Sequence, residues 1–234
     1  MILRLRLLLV LLATSYTVLK AQQDTTYAEF DFQKSFAIYD LATQFNDPVI
    51  ARMALYDILL MTDNQTAILD SLALNYFTSR RYISAALVAQ ENVKINKRNA
   101  MALEIGAVSF ANIGAKEKAL DFYEDLALLN DKIETHYQVA FLQFELKRYT
   151  EAKTTIDFMM NKKGLDTSKI VFPKVDNSSQ EVSMKAALYN LNGLILEGKS
   201  QAKEAMEWYL KATQEQPGFE LAQLNIKRVK DTMK

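Results

Sequence analysis

A chain of 234 residues, half of them hydrophobic, is long enough to bury one large core or a continuous seam of smaller ones. Lys+Arg and Asp+Glu balance at 28 each, with no long run of one sign, which argues against a nucleic-acid binder. The lack of Cys excludes disulfides, thiolate metal sites, thiol catalysis and a lipid anchor on an N-terminal Cys.

Residues 1–21 have the layout of a secretory signal peptide. Arg4 and Arg6 make a basic start, Leu7 to Leu12 is almost wholly aliphatic, and Ala21 precedes the polar Gln22, Gln23 and Asp24. Cleavage is expected after Ala21, with Ser15 as a second candidate site. The Ala-Gln-Gln exit resembles leaders of exported Bacteroidota proteins. The apolar run before Lys20 is about 13 residues, shorter than the ~20 that span a bilayer. The expected location is therefore the periplasm, with no membrane span left after cleavage. Residues 22–28 read as a short linker.

Six Gly and three Pro in the whole chain leave few special turns, so helices joined by short loops are expected. Glu29 to Phe45 carries Phe30, Phe36, Ile38, Leu41 and Phe45 at helical spacing. Asp47 and Pro48 then open a second helix, Asp as N-cap and Pro in the first turn. Beyond it one alanine recurs: Ala85, Ala119, Ala152 and Ala205. Twelve residues before each stands another small residue: Ala73, Ala107, Ala140 and Gly193. Small residues at this spacing let two consecutive helices approach closely, and larger ones fill in around the contact. Ala51 lies 34 residues before Ala85, so 29–63 reads as a degenerate first pair.

The interval from Ala152 to Ala205 is longer than the others. The excess, about 164–180, holds Ile170 to Pro173, too apolar and too short for a helix. Ser178 and Glu181 read as a capping box starting the next helix. This loop is either functional or a tolerated insertion with its apolar residues tucked onto the nearest helix pair. Phe219 to Lys234 reads as one amphipathic helix that ends the array in Lys and Arg.

Tyr189 to Gly193 with Glu204, Ala205, Tyr209, Ala212 and Pro217 resembles a tetratricopeptide repeat, as does Tyr137 to Ala140 with Arg148, Tyr149 and Ala152. The resemblance spans roughly 66–219. It departs from the pattern at Asn92, where a small apolar residue is usual, at His136 for Trp and at Asn192 for Leu. It implies an all-α, tetratricopeptide-like helical-repeat solenoid with a C-terminal capping helix, the array running over 64–234.

No chemistry stands out. His136 is the only His and reads as a packing residue; no Gly-rich phosphate loop or metal-ligand spacing is present, so no catalytic, cofactor or metal residue is assigned. Asn64 to Thr66, Asn177 to Ser179, Asp24 to Thr26 and Asp231 to Met233 match glycosylation triplets, which are common patterns. The resemblance implies that the first helix of each pair lines a concave groove. Asp70, Leu74, Phe77, Glu104, Val108, Tyr137, Phe141, Phe144, Asn190 and Leu194 are then the groove residues. Chaperone-binding members hold a peptide carboxylate with Lys, Arg and Asn at such positions. The acids and apolar groups here suit an apolar segment or helix with basic residues instead. The expected function is a non-enzymatic periplasmic scaffold for a protein partner, in an envelope assembly or secretion complex. A homo-oligomerising structural protein and an envelope enzyme are the alternatives. The same aromatics could instead contact other parts of this chain, such as the 164–180 loop.

Overall fold

In the computed structural model, residues 29–233 are described, and the leader expected at 1–21 lies outside them. The chain divides into two compact units, 1–97 and 98–234. The first holds helices α1 (29–44), α2 (Pro48–Met61), α3 (Gln65–Thr78) and α4 (Tyr82–Ile95). The second holds α5 (Ala100–Asn112), α6 (Lys116–Asn130), α7 (Ile133–Glu145) and α8 (Tyr149–Met160). Strands β1 (Lys169–Pro173) and β2 (Ser179–Ser183) follow, then α9 (Met184–Gly198), α10 (Ala202–Glu215) and α11 (Glu220–Thr232). No helix among the described residues is long and apolar enough to cross a membrane.

The helices pack in consecutive pairs: α3 with α4, α5 with α6, α7 with α8, α9 with α10. The recurring small residues are the reason. Ala73, Ala85, Ala107, Ala119, Ala140, Ala152 and Ala205 have no exposed surface at all. At the fourth pair the contact is closer still. A Cβ on Gly193 would stand 2.4 Å from Cε1 of Tyr209, so only hydrogen fits there.

One backbone device turns the chain inside every pair. Asn46, Arg80, Gly114, Lys147 and Ser200 are left-handed, with φ between 54° and 77°. The N–H of the residue after each reaches back to the carbonyl five residues earlier, in the bonds Asp47 to Ala42, Arg81 to Tyr76, Ala115 to Phe110, Arg148 to Gln143 and Gln201 to Leu196, at 2.7–2.9 Å. This is a Schellman terminator, and it satisfies the last carbonyls of the first helix. The residue that completes it is also the N-cap of the second helix, which is why the connection needs so few residues. Of these five residues only Asp47 caps with its side chain, accepting from the N–H groups of Val49 and Ile50 at 3.1 Å. That agrees with the sequence expectation at Asp47 and Pro48.

Glycine fills the left-handed position at 114 alone. For other residues this conformation costs ~1–2 kcal/mol, less for Asn. Lys147→Gly and Ser200→Gly should therefore each stabilise by about 0.5 kcal/mol, after the entropy that glycine adds to the unfolded chain. Urea midpoints check this, and the same change at Asn46 should give less.

The insertion is a β-hairpin, not an irregular loop. β1 and β2 are antiparallel with Ile170 opposite Val182 and Phe172 opposite Gln180. Period-two burial explains the apolar run: Ile170 and Phe172 turn inward, whereas Val171 is exposed. The capping box expected at Ser178 and Glu181 is corrected. Ser178 sits in the hairpin turn, where its N–H and hydroxyl both donate to Asp176, and Glu181 lies in β2. The helix begins five residues later, where the Ser183 hydroxyl accepts from the N–H of Ala186.

Candidate functional site

The expected groove residues fall into two sets. In the first unit, Leu74 on α3 is 42% exposed, and Phe77, half-buried, stands edge-on to Tyr82 at 5.8 Å. Asp70 takes a 2.7 Å hydrogen bond from the Asn92 amide, which also donates to the carbonyl of Thr66. Asn92 has no exposed surface, so the polar departure at that position ties α4 to the start of α3. On α5 of the second unit, Glu104 is exposed and Val108 half-buried.

On α7 the face is covered. Tyr137, Phe141 and Phe144 form a ladder with ring separations of 6.4 and 6.3 Å, continued by Tyr149 at 6.2 Å. Phe172 of β1 stands perpendicular to Tyr137 at 6.3 Å and also meets Phe219, the residue before α11, at 5.1 Å. Tyr137 is left 4% exposed, and burial pushes its hydroxyl pKa far above the ordinary value. Phe141, Phe144 and Leu194 are half-buried against the same core.

Polar contacts fix the hairpin in place. Gln216 acts as a substitute strand along β2: its amide donates to the Glu181 carbonyl at 2.8 Å and accepts from the Ser183 N–H at 2.7 Å. Gln180 answers from β2, donating to the carbonyl of Gly218 and accepting from the N–H of Glu220, each at 3.1 Å. Glu220 in turn accepts from the Val175 N–H in the hairpin turn.

Asn190 is covered by the last helix. Its carbonyl accepts from the Asn225 amide at 2.8 Å, and it is 1% exposed. Arg228 donates to Asn225 and, at 2.7 Å, to Glu197, whose carboxylate also accepts from the Tyr209 hydroxyl at 2.7 Å. Burial first, and the Glu197 carboxylate second, raise the Tyr209 pKa well above its ordinary value. Tyr137 and Asn190 are thus corrected from groove-lining to core positions. The physical reason is the same for both: residues 35 positions further on, Phe172 and Asn225, fold back over them.

His136 packs edge-on against Phe158 of α8 at 5.0 Å, inside its own repeat, and contacts Asp131 at 2.8 Å. Lys162 joins the same carboxylate at 2.5 Å; the two hydrogen bonds, Lys162 first, hold Asp131 below the usual carboxylate pKa. Among the described residues no group of three or more His, Cys, Asp or Glu could hold a metal ion.

No sequence pattern of a known family matches the chain, and no curated protein is detectably similar in sequence. Solved structures are similar in fold. YrrB, described as a tetratricopeptide-repeat protein with an unusual peptide-binding site, superposes with a TM-score of 0.64 at 15% identity, over 81% of this chain and 88% of its own. A tetratricopeptide-repeat protein from Parabacteroides merdae gives 0.62 at 16%, over 87% and 73%. The MamA protein gives 0.59 at 18%, over 80% and 92%. The chain has the tetratricopeptide-repeat fold, as the spacing of its small residues implied.

Proposed function

We propose that this repeat protein is an exported periplasmic scaffold, without catalytic activity of its own, that binds a protein partner through the first-helix face of α3. The observation that carries the reading is the exposed Leu74, with Phe77 and the Asp70 carboxylate one turn to either side. A large aliphatic left in the open on a rigid helix, beside an aromatic and an acid, suits an apolar segment or helix that carries a basic residue. Glu104 and Val108 offer the same chemistry on α5. The basic, apolar, Ala-ended start of the sequence supports export, and an envelope assembly or secretion complex is the setting proposed for the partner. YrrB's peptide-binding site supports the reading by likeness of fold.

Capture from detergent-solubilised envelope tests the binding. The wild type should retain a partner that Leu74→Arg loses, with the melting temperature of the variant nearly unchanged because the residue is exposed. A partner held equally by both proteins would remove α3 from the account. Intact-mass measurement of the native protein tests the export. A start near Gln22 is expected, and a retained Met1 contradicts it.

A further inference from the structure

Every first helix with a contacting predecessor in its unit buries one face against it: α3 on α2, α7 on α6, α9 on α8. Counted back from the left-handed residue of its own pair, that face lies twelve, eight and five positions earlier. It is Ile68, Leu72 and Asn75 in α3, where Asn75 bonds both the Pro48 carbonyl and the Arg52 guanidinium of α2. It is Thr135, Val139 and Leu142 in α7, and Leu188, Asn192 and Ile195 in α9, all buried.

Counted back from Asn46, the same positions in α1 are Lys34, Ile38 and Leu41. Here they are open, with Ile38 37% and Leu41 53% exposed. Phe30 and Phe45 extend the stripe along the helix at the spacing of one face, and both are exposed. Leu60 and Met61 of α2 adjoin it across a cleft of about 370 Å³ that also takes in Asp31, Lys34 and Asp57. A helical array normally ends in a polar face. Here the surface is apolar, and among the described residues nothing is stacked on it.

The last helix is the opposite case. In α11 the positions that correspond to Tyr189, Gly193 and Leu196, which would meet a second helix, are Gln223, Lys227 and Lys230, all exposed. Those three positions carry polar and charged side chains.

We propose that the open face of the first helix pair is a dimerisation surface, on which a second copy of this chain docks head to head. A twofold interface must be self-complementary. This face carries both signs of charge inside its apolar rim, so that Lys34 of each copy can meet Asp31 or Asp57 of the other. Docking of this face on itself gives a closed dimer, whereas docking on a different complementary surface would give an open fibre. The exposed apolar side chains leave several hundred Å² per copy, more than isolated surface residues do. Two copies together approach the ~1,000 Å² that a specific interface needs.

Sedimentation of the purified full chain from about 1 to 100 µM, which spans micromolar Kd values, is the test. A monomer–dimer equilibrium is expected. Ile38→Glu with Leu41→Glu should weaken it at least about tenfold with an unchanged melting temperature, while Lys227→Glu on α11 leaves it intact. A monomer at every concentration overturns the proposal, as does association that survives the double variant. A monomer that keeps Met1 and melts lower with Leu41→Glu would mean that residues 1–28 cover the face, and equally overturns it.

Discussion

Tyr137→Ala is expected to destabilise the protein by about 3–5 kcal/mol, the range for deleting a buried aromatic ring. In a chain of this size that lowers the melting temperature by on the order of 10 °C. The ring touches Phe141 on its own helix and Phe172 of the hairpin, and almost none of it meets solvent. Removing it leaves a cavity between α7 and β1 that neither the helix nor a hairpin held through β2 by Gln216 and Glu220 can collapse to fill. A groove residue would behave in the opposite way, with binding lost and the melting temperature hardly moved. A near-native melting temperature for Tyr137→Ala would therefore return this ring to the groove and make the hairpin a loose cover.

Gly193→Ala is expected to destabilise by about 1–3 kcal/mol even though alanine is the better helix former by ~1 kcal/mol. The new Cβ would lie 2.4, 2.6 and 2.9 Å from three carbons of the Tyr209 ring. That ring has no exposed surface, and its hydroxyl is anchored on Glu197, itself held by Arg228 of the last helix. It has nowhere to retreat, so the two helices must separate. Gly198→Ala is the control. There the Cβ meets the hydroxyl end of Tyr149 at 2.6 Å, on a half-buried side chain that can swing aside. Denaturant midpoints should fall for Gly193→Ala and stay near wild type, or rise, for Gly198→Ala.

The repeat was legible because its cause is local and periodic. Small residues twelve apart, recurring at 33 or 34, are what close helix pairing requires, and Asp47 with Pro48 is a cap that a few residues specify. The left-handed turns escaped notice since Arg80, Lys147 and Ser200 carry no glycine to mark them. The hairpin was hidden for a different reason. Only Ile170 and Phe172 alternate inward on β1, too short a run to show period two, and Ser178 with Glu181 imitates a cap that Ser183 provides. The burial of Tyr137 and Asn190 was not readable at all from their own helices. Both are covered by residues 35 positions away, and nothing in the spacing along α7 or α9 distinguishes a groove face from a face that an insertion or a last helix folds over. The open face of α1 needed the structure too, because Ile38 and Leu41 look like ordinary core residues until their missing neighbour is noticed.

The first-helix face is open on α3 and occupied around the hairpin. Single-thiol labelling measures this contrast directly, since the wild-type chain offers no cysteine to interfere. Leu74→Cys places a thiol on the exposed face, and Val182→Cys places one of nearly native size on β2, where the wild-type side chain has no exposed surface. Under native conditions the first thiol should react with a soluble maleimide almost as fast as in the unfolded chain. The second should be slowed at least about a hundredfold, because it reacts only when the hairpin opens. Equal rates at the two positions would contradict the account.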